Sequence, residues 1–460
     1  MKKDNGLYRL VYEYYEARIL LGCYTCGDKL PSIPKISDIF HLAPTTIRSA
    51  LSMLEQEELI KVDARKAAVV TYDLSPGQMK KNAAEYFIPR REGILGISQS
   101  GSYLLEPLWK EGLRKWDDND WESLRRGIMD PSLNMVSIPV EFYLLAVGAL
   151  DNRLAMNLLW ETVRYLRFPY LTNGMETLTG RKELAGFSRE ETIEALRAEA
   201  AHSYGRSLQA LFAFMDEMSL DPGLKYAAPI PFHWNIYRQR PQLRYSFASL
   251  LIREILKGTY PQGTYLPSLP QLVDRYGIPL MTVRRTLGLL EELGMTRSYH
   301  GKGTLVCMEP ADIDLSRSSI REGIRLYVES LQLLHLTVQN IFLCTWESAD
   351  PAKRAALIRH FLFLQSEEKS YLCFEACLTF IEDHCPLSTV RECYGSIKVL
   401  MVWKYPLILS RLKNRSLHAE YRDCVSRLTS FLQEERPEMF SSELKHLWEQ
   451  EEQQVRAFLS

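Results

Sequence analysis

Thr282, Arg284 and Arg285 open the stretch TVRRTLGLLEELGM, and a second basic cluster, His300, Gly301, Lys302 and Gly303, follows shortly after its end. A guanidinium presents paired donors that match the O6 and N7 acceptors of guanine, while threonine suits a phosphate or a methyl contact. A cationic tip set between glycines is narrow enough to enter a minor groove. Residues of these types at this spacing suit double-stranded DNA, and Ser268, just upstream, joins the candidate set.

The same chemistry is written twice. Sliding the chain by 236 residues aligns 22–70 with 258–306 without a gap, and Gly22, Gly27, Leu30, Pro31, Ser32, Pro34, Asp38, Thr46, Arg48, Leu51, Leu54, Glu55 and Val70 all meet identical residues. The counterpart candidates are Ser32, Thr45, Thr46 and Arg48, with Arg65 and Lys66 at the tip. Ala67 stands where the second copy has Gly303, and Asp63 and Glu58 add negative charge nearby. Residues 241–308 hold eight Lys and Arg against four Asp and Glu, whereas 1–72 hold ten against nine. Because phosphate neutralisation supplies much of the free energy of DNA binding, the second copy is expected to bind the more strongly.

Each copy needs elements to hold these groups. An amphipathic helix is expected in YRLVYEYYEARILLG and in YSFASLLIREILKG, each closed by a glycine. The Leu-Pro-Ser that follows turns the chain, and Ser32 or Ser268 caps a short helix whose first turn accepts Pro34 or Pro270. After a bend, Ile47, Ala50, Leu51 and Leu54, or Val283, Leu287 and Leu290, repeat at helical spacing, which turns Arg48, Arg284 and Arg285 away from the buried stripe. A strand, turn and strand then complete a winged helix-turn-helix.

At this point the sequence resembles the GntR family of bacterial transcription regulators. Its pattern of G-x-x-x-x-G-x-x-L-P-S, T-V-R-x-A-L and G-x-G-T-x-V is met here by GTYPQGTYLPS, TVRRTL and GKGTLV, and by GCYTCGDKLPS, TIRSAL and a wing without glycine. The resemblance covers about a third of the chain. It implies a helix in the major groove, a wing tip in the minor groove and a sequence-specific regulator as the whole. The family commonly follows Leu-Pro-Ser with Glu-Arg, whose arginine helps hold DNA. Ile33 and Pro34, or Leu269 and Pro270, take that place here, so affinity must come from elsewhere.

Residues 76–240 and 310–460 are rich in Leu, Trp and Tyr at helical periodicity. They echo one another: FYLLAVGALDNRLAMNLL compares with FEACLTFIEDHCPLSTVR, and Pro169 compares with Pro406 at an offset of 237. The first is faintly similar to the FCD effector domain of one GntR branch, through Phe142 and Asn152. Pro139 and Tyr143, and in the other half Tyr371 and Glu375, stand where that branch has other residues, including metal ligands, so its metal-dependent effector is not expected. Trp160, Arg164, Tyr165 and Asn152 could line an effector pocket, but a packed core with snorkelling arginines is the preferred reading of each.

Other chemistry finds little support. Cys23 and Cys26 have CxxC spacing without a second pair at finger-like distance, and Cys373, Cys377, His384, Cys385 and Cys393 sit in apolar helical text that favours core packing. There is no G-x-S-x-G elbow, Walker loop, H-E-x-x-H or dinucleotide fingerprint, so no catalytic residue, metal or cofactor is assigned. With 46% hydrophobic and 25% charged residues, a net charge of −1, nine cysteines and no long uncharged apolar run, a cytoplasmic protein with reduced thiols is expected.

The expected architecture is mainly α, built by internal duplication. A first winged helix (1–75) precedes a helical effector or dimerisation domain (76–240), and a second winged helix (241–309) precedes a second helical domain (310–460). The expected partners are double-stranded DNA and a small-molecule effector in the helical domains, with no membrane, and the protein would act as a monomeric pseudo-dimer or a homodimer. The competing reading is a protein-interaction scaffold whose winged helices no longer read DNA.

Overall fold

The computed structural model describes residues 7–40, 42–63, 66–73, 75–129, 139–167, 186–220, 228–236, 243–309, 313–314, 316–412 and 417–459. It divides into two compact units, Met1–Gln239 and Arg240–Ser460. Each begins with a small winged helix and continues as helices, so the duplicated, mainly α architecture is present in both.

In the first unit the winged helix consists of α1 (Leu7–Leu20), α2 (Ile33–Phe40), α3 (Pro44–Gln56) and a hairpin of β1 (Ile60–Lys61) and β2 (Val69–Val70). Helix α3 packs on α1 through a face of Thr46, Ile47, Ala50, Leu51 and Leu54, the three-and-four spacing that makes one stripe apolar. The glycines of the repeated phrase have a backbone reason. At the end of α1 the Gly22 N–H bonds the Ile19 carbonyl (3.1 Å) and the Cys23 N–H bonds Arg18 (2.7 Å), a Schellman closure with Gly22 at φ +79°.

Among the described residues, the unit continues with the α-helices α4 (Pro76–Phe87), α5 (Arg91–Leu104), α6 (Glu106–Arg114), α7 (Asp118–Met129), α8 (Pro139–Gly148), α9 (Arg153–Leu166) and α10 (Arg189–Met218). Side-chain caps close the starts of α4, α9 and α10: Ser75 accepts from the Gln78 N–H, Asn152 from Ala155, and Ser188 pairs with Glu191 in a capping box. Trp116 holds Trp121 and Phe142 edge-on at 5.7 and 6.1 Å, an aromatic cluster that anchors α7 and α8.

The second unit repeats the plan with α11 (Leu243–Lys257), α12 (Leu269–Tyr276), α13 (Leu280–Glu292), β3 (Thr296–Tyr299) and β4 (Gly303–Val306). The Schellman closure recurs bond for bond, Gly258 N–H to Ile255 (3.0 Å) and Thr259 N–H to Glu254 (2.9 Å). An isolated antiparallel bridge, Lys29 to Val69 and Tyr265 to Leu305, lies beside each two-stranded hairpin, with the Leu30 N–H reaching Ala68 (2.9 Å) and the Leu266 N–H reaching Thr304 (2.8 Å). The wings differ in length: β3 pairs with β4 from Thr296↔Val306 to Tyr299↔Gly303, whereas β1 and β2 pair over two residues. Gly303 sits at φ +107°, a conformation Ala67 cannot adopt without strain, so the first hairpin loses the tight end of its ladder.

Among the described residues, the further α-helices of this unit are α14 (Ser318–Ser348), α15 (Pro351–Ser366), α16 (Cys373–His384), α17 (Ser388–Leu400), α18 (Lys404–Leu412), α19 (Leu417–Gln433) and α20 (Pro437–Leu459). Long α14 packs along α20, with Phe342 and Phe440 at 4.4 Å in the seam. Cys373, Cys377 and Cys393 are buried, and burial raises their thiols above the ordinary range. Gly323 of α14 lies flat against Trp403, where a Cβ would come within 2.5 Å of the ring. Trp403 is itself 1% exposed and packs on Tyr245 of α11 at 6.0 Å, so it has no room to retreat. Gly323→Ala is therefore expected to destabilise this unit by about 1–3 kcal/mol, read as a lower denaturant midpoint.

Candidate nucleic-acid interface

Opposite its buried stripe, α13 presents Met281, Arg284 and Arg285 to solvent, with Gly288 half-buried one turn on. These positions follow i, i+3, i+4 and i+7 and so share a face. The equivalent face of α3 carries Thr45, Arg48, Ser49 and Ser52, all exposed. Thr46 is 7% exposed and turned into the domain, and its counterpart Thr282 is half-buried, so the arginines rather than these threonines dominate each surface.

The charge around these faces is arranged unequally. Arg297 pairs with Glu309 at 2.5 Å, Arg317 pairs with Glu292, and Arg275 lies over the rings of Tyr260 and Tyr276 at 5.7 and 5.5 Å. Among the described residues, Arg284, Arg285, His300 and Lys302 have no acidic partner. The cations left for an outside anion are thus concentrated on the α13 stripe and the wing tip. At that tip the Lys302 N–H closes the turn on the Tyr299 carbonyl at 3.1 Å, with Gly301 at φ +73°. In the first wing Lys66 pairs with Asp63 at 3.4 Å, while Arg65 lies outside the described residues, as does Pro169.

Ser32 and Ser268 are occupied with helix starts. The Ser32 hydroxyl accepts from the Lys35 N–H at 3.4 Å, and the Ser268 N–H donates to the Gln271 side chain at 2.8 Å.

A tie between helix and wing is an addition to the sequence reading. The Val62 N–H donates to the Glu55 carboxylate at 2.8 Å, and the Ser298 N–H donates to Glu291 at 3.1 Å. Glu55 and Glu291, like Val62 and Ser298, are 236 residues apart in the chain, so the identity of Glu55 and Glu291 has a structural cause. In the repeat, Glu55 is one of two acids that recur, the other being Asp38. Glu291→Ala is expected to cost about 1 kcal/mol of stability, the size of one charge-assisted hydrogen bond at an exposed site. Amide exchange at Ser298 should accelerate while α13 stays protected.

The four residues considered as pocket lining serve packing and anchoring instead. Asn152 caps α9 through its bond from the Ala155 N–H at 2.7 Å, and the Tyr165 hydroxyl donates to the Ile230 carbonyl. Trp160 stacks on Phe40 of α2, with centroids 6.2 Å apart and planes at 12°. Arg164 grips the Glu13 carboxylate of α1 with two nitrogens and lies 3.5 Å from Glu161, and Arg167 reaches Glu16 at 3.2 Å. Helix α9 therefore clasps the winged helix of its own unit. Burial pushes Glu161 up to about 7, with Arg164 opposing and Glu13 adding to the rise. Burial also raises Glu16 against the pull of Arg167. In the second unit Lys257 of α11 meets Glu375 of α16 at 3.7 Å.

Among the described residues no group of His, Cys, Asp and Glu is placed to hold a metal ion, and no helix is long and apolar enough to cross a membrane. Cys23 is half-buried and its thiol is raised by that burial, while Cys26 is exposed.

The family model described as bacterial regulatory proteins, gntR family, matches residues 7–70 and again residues 246–306. The HTH-type transcriptional regulator Rv0792c of Mycobacterium tuberculosis (strain ATCC 25618 / H37Rv) is 34% identical over 92 residues, which is 20% of this chain and 32% of the relative. The chain thus spans about a third of that relative's length. A GntR structure from Rhodococcus sp. RHA1 aligns at a TM-score of 0.27 and 16% identity, covering 46% of this chain and 97% of that one. E. coli McbR/YncC aligns at 0.26 and 16%, covering 48% and 100%. Both matched segments coincide with the two winged helices, so the chain carries two winged-helix domains that match the gntR family model.

Proposed function

We propose that this chain is a sequence-specific DNA-binding transcription regulator in which two winged helices read two half-sites on one duplex. The observation that carries this reading is the face of α13, where Arg284 and Arg285 stand exposed and, among the described residues, without an acidic partner beside a cationic wing tip. A recognition helix placed in the major groove presents such arginines to guanine, and the wing tip of His300, Gly301, Lys302 and Gly303 follows the adjacent backbone or minor groove. The first head supplies Arg48, Thr45 and Lys66 for a weaker contact, since Lys66 lies in an ion pair with Asp63.

The four-part organisation with boundaries at 75, 240 and 309 belongs to this reading, as does action as a monomeric pseudo-dimer. One chain then supplies what a homodimer would, with half-sites about one helical turn apart. A small ligand held in the helical domains would act by changing the placement of the heads, which α9 grips in the first unit. The reading assigns no catalytic step.

The test is selection of bound duplexes from a random pool by the full chain, repeated with Arg284→Ala and Arg48→Ala. A two-part motif, with a different part lost in each variant, is the expected result. Failure to enrich any sequence would favour a scaffold without DNA readout.

A further inference from the structure

The two heads share their buried residues and the residues that close turns, start helices or hold the wing, whereas the outward stripe of the recognition helix differs. Leu30, Leu51, Leu54 and Val70, which recur in the second head, are at most 3% exposed, the recurrent glycines close backbone turns, and Glu55 and Glu291 hold the wings. On the exposed recognition stripe only Arg48 and Arg284 agree. Thr45 faces Met281, Ser49 faces Arg285 and Ser52 faces Gly288 across the alignment. The duplication has kept the scaffold and changed the reading surface.

The change has a chemical direction. Met281 is 56% exposed and Leu280 41% exposed, at the first turn of a helix whose next two outward residues are arginines without an acidic partner among the described residues. The first turn of a recognition helix is the part that reaches base edges, and the 5-methyl group of thymine is the apolar feature of the major groove. Flanking cations set these two apolar side chains on an anion-seeking face, which fits a duplex better than an apolar protein surface. In the first head the same places hold Pro44 and Thr45, a rigid ring and a short hydroxyl side chain.

Building on the proposed DNA readout, we infer that the two heads read different half-sites, and that in the second head Met281 reads the methyl group of a thymine beside the bases contacted by Arg284 and Arg285. The operator is then asymmetric, and the chain binds it in one orientation.

The test uses the full chain and the duplex enriched from a random pool, with each thymine replaced in turn by deoxyuridine. This substitution removes the methyl group and leaves base pairing intact. At one thymine of the half-site that depends on Arg284, affinity is expected to fall about fourfold, the transfer value of one buried methyl group. Met281→Ala, an exposed substitution that leaves the fold intact, should bind the thymine and uracil duplexes equally. The combined variant Met281→Thr with Arg285→Ser should shift the second half of the selected motif toward the first. Equal binding of all uracil duplexes by the unaltered protein would overturn the role of Met281 while leaving DNA readout standing. Two identical half-sites would overturn the asymmetry, and a pool with no enriched duplex would overturn the underlying reading itself.

Discussion

Arg284→Ala is expected to weaken binding to the selected duplex by about 1–3 kcal/mol, roughly 5- to 150-fold in dissociation constant. The stability of the second unit should stay within about 0.5 kcal/mol of the original, because Arg284 is exposed and makes no ion pair among the described residues. Salt dependence separates the two ways in which the arginine can act. If it meets a base, the loss falls on one position of the motif and the salt slope is kept. If it meets phosphate, binding weakens uniformly across sequences and the slope falls by about 1. Arg297→Ala is the matched control, since that cation is already held by Glu309. Arg48→Ala should cost less than Arg284→Ala, because its wing offers a Lys66 that is tied to Asp63.

The winged helices were legible from residues 22–70 and 258–306 because the repeat compares the chain with itself. Identity at Gly22 and Gly27 marks positive φ values that glycine adopts freely, and identity at Leu51 and Leu54 marks a buried face. The candidate interface was legible where helical spacing separates outward from inward residues, as at Arg284 and Arg285. It was less so at Thr46, which lies next to the core stripe and turns inward with it. Nothing local announced that Trp160, Arg164 and Arg167 would reach Phe40, Glu13 and Glu16. These partners lie more than a hundred residues earlier, and periodicity gives the face of a helix but not what covers it. Arginines at the edge of an apolar face look alike whether they snorkel to solvent or grip a carboxylate on another helix.

That clasp yields the largest stability effect expected in the first unit. Arg164 is 12% exposed and its partners Glu13 and Glu161 are 19% and 9% exposed, so the group is well sheltered without being dry. Removing the cation leaves two carboxylates facing each other, and Arg164→Ala should destabilise the unit by about 2–4 kcal/mol, less than breaking a fully buried pair because solvent still reaches Glu13. The pH dependence distinguishes lost charge pairing from lost packing. Glu161 already titrates near 7 with the arginine in place, so in the unfolded chain, where its value is lower, it binds fewer protons between about 4.5 and 7. Its ionisation therefore costs stability as pH rises through that window, and without Arg164 the cost grows. The deficit of Arg164→Ala should be larger at pH 8 than at pH 5.5, and Glu161→Gln added to it should flatten the difference. Arg164→Lys should restore only part of the stability, since an ammonium replaces the charge but not the two-nitrogen grip on Glu13. A deficit independent of pH would assign the loss to packing. In that case Trp160 on Phe40, rather than the ion pairs, would be the contact through which the helical part of this unit holds its winged helix.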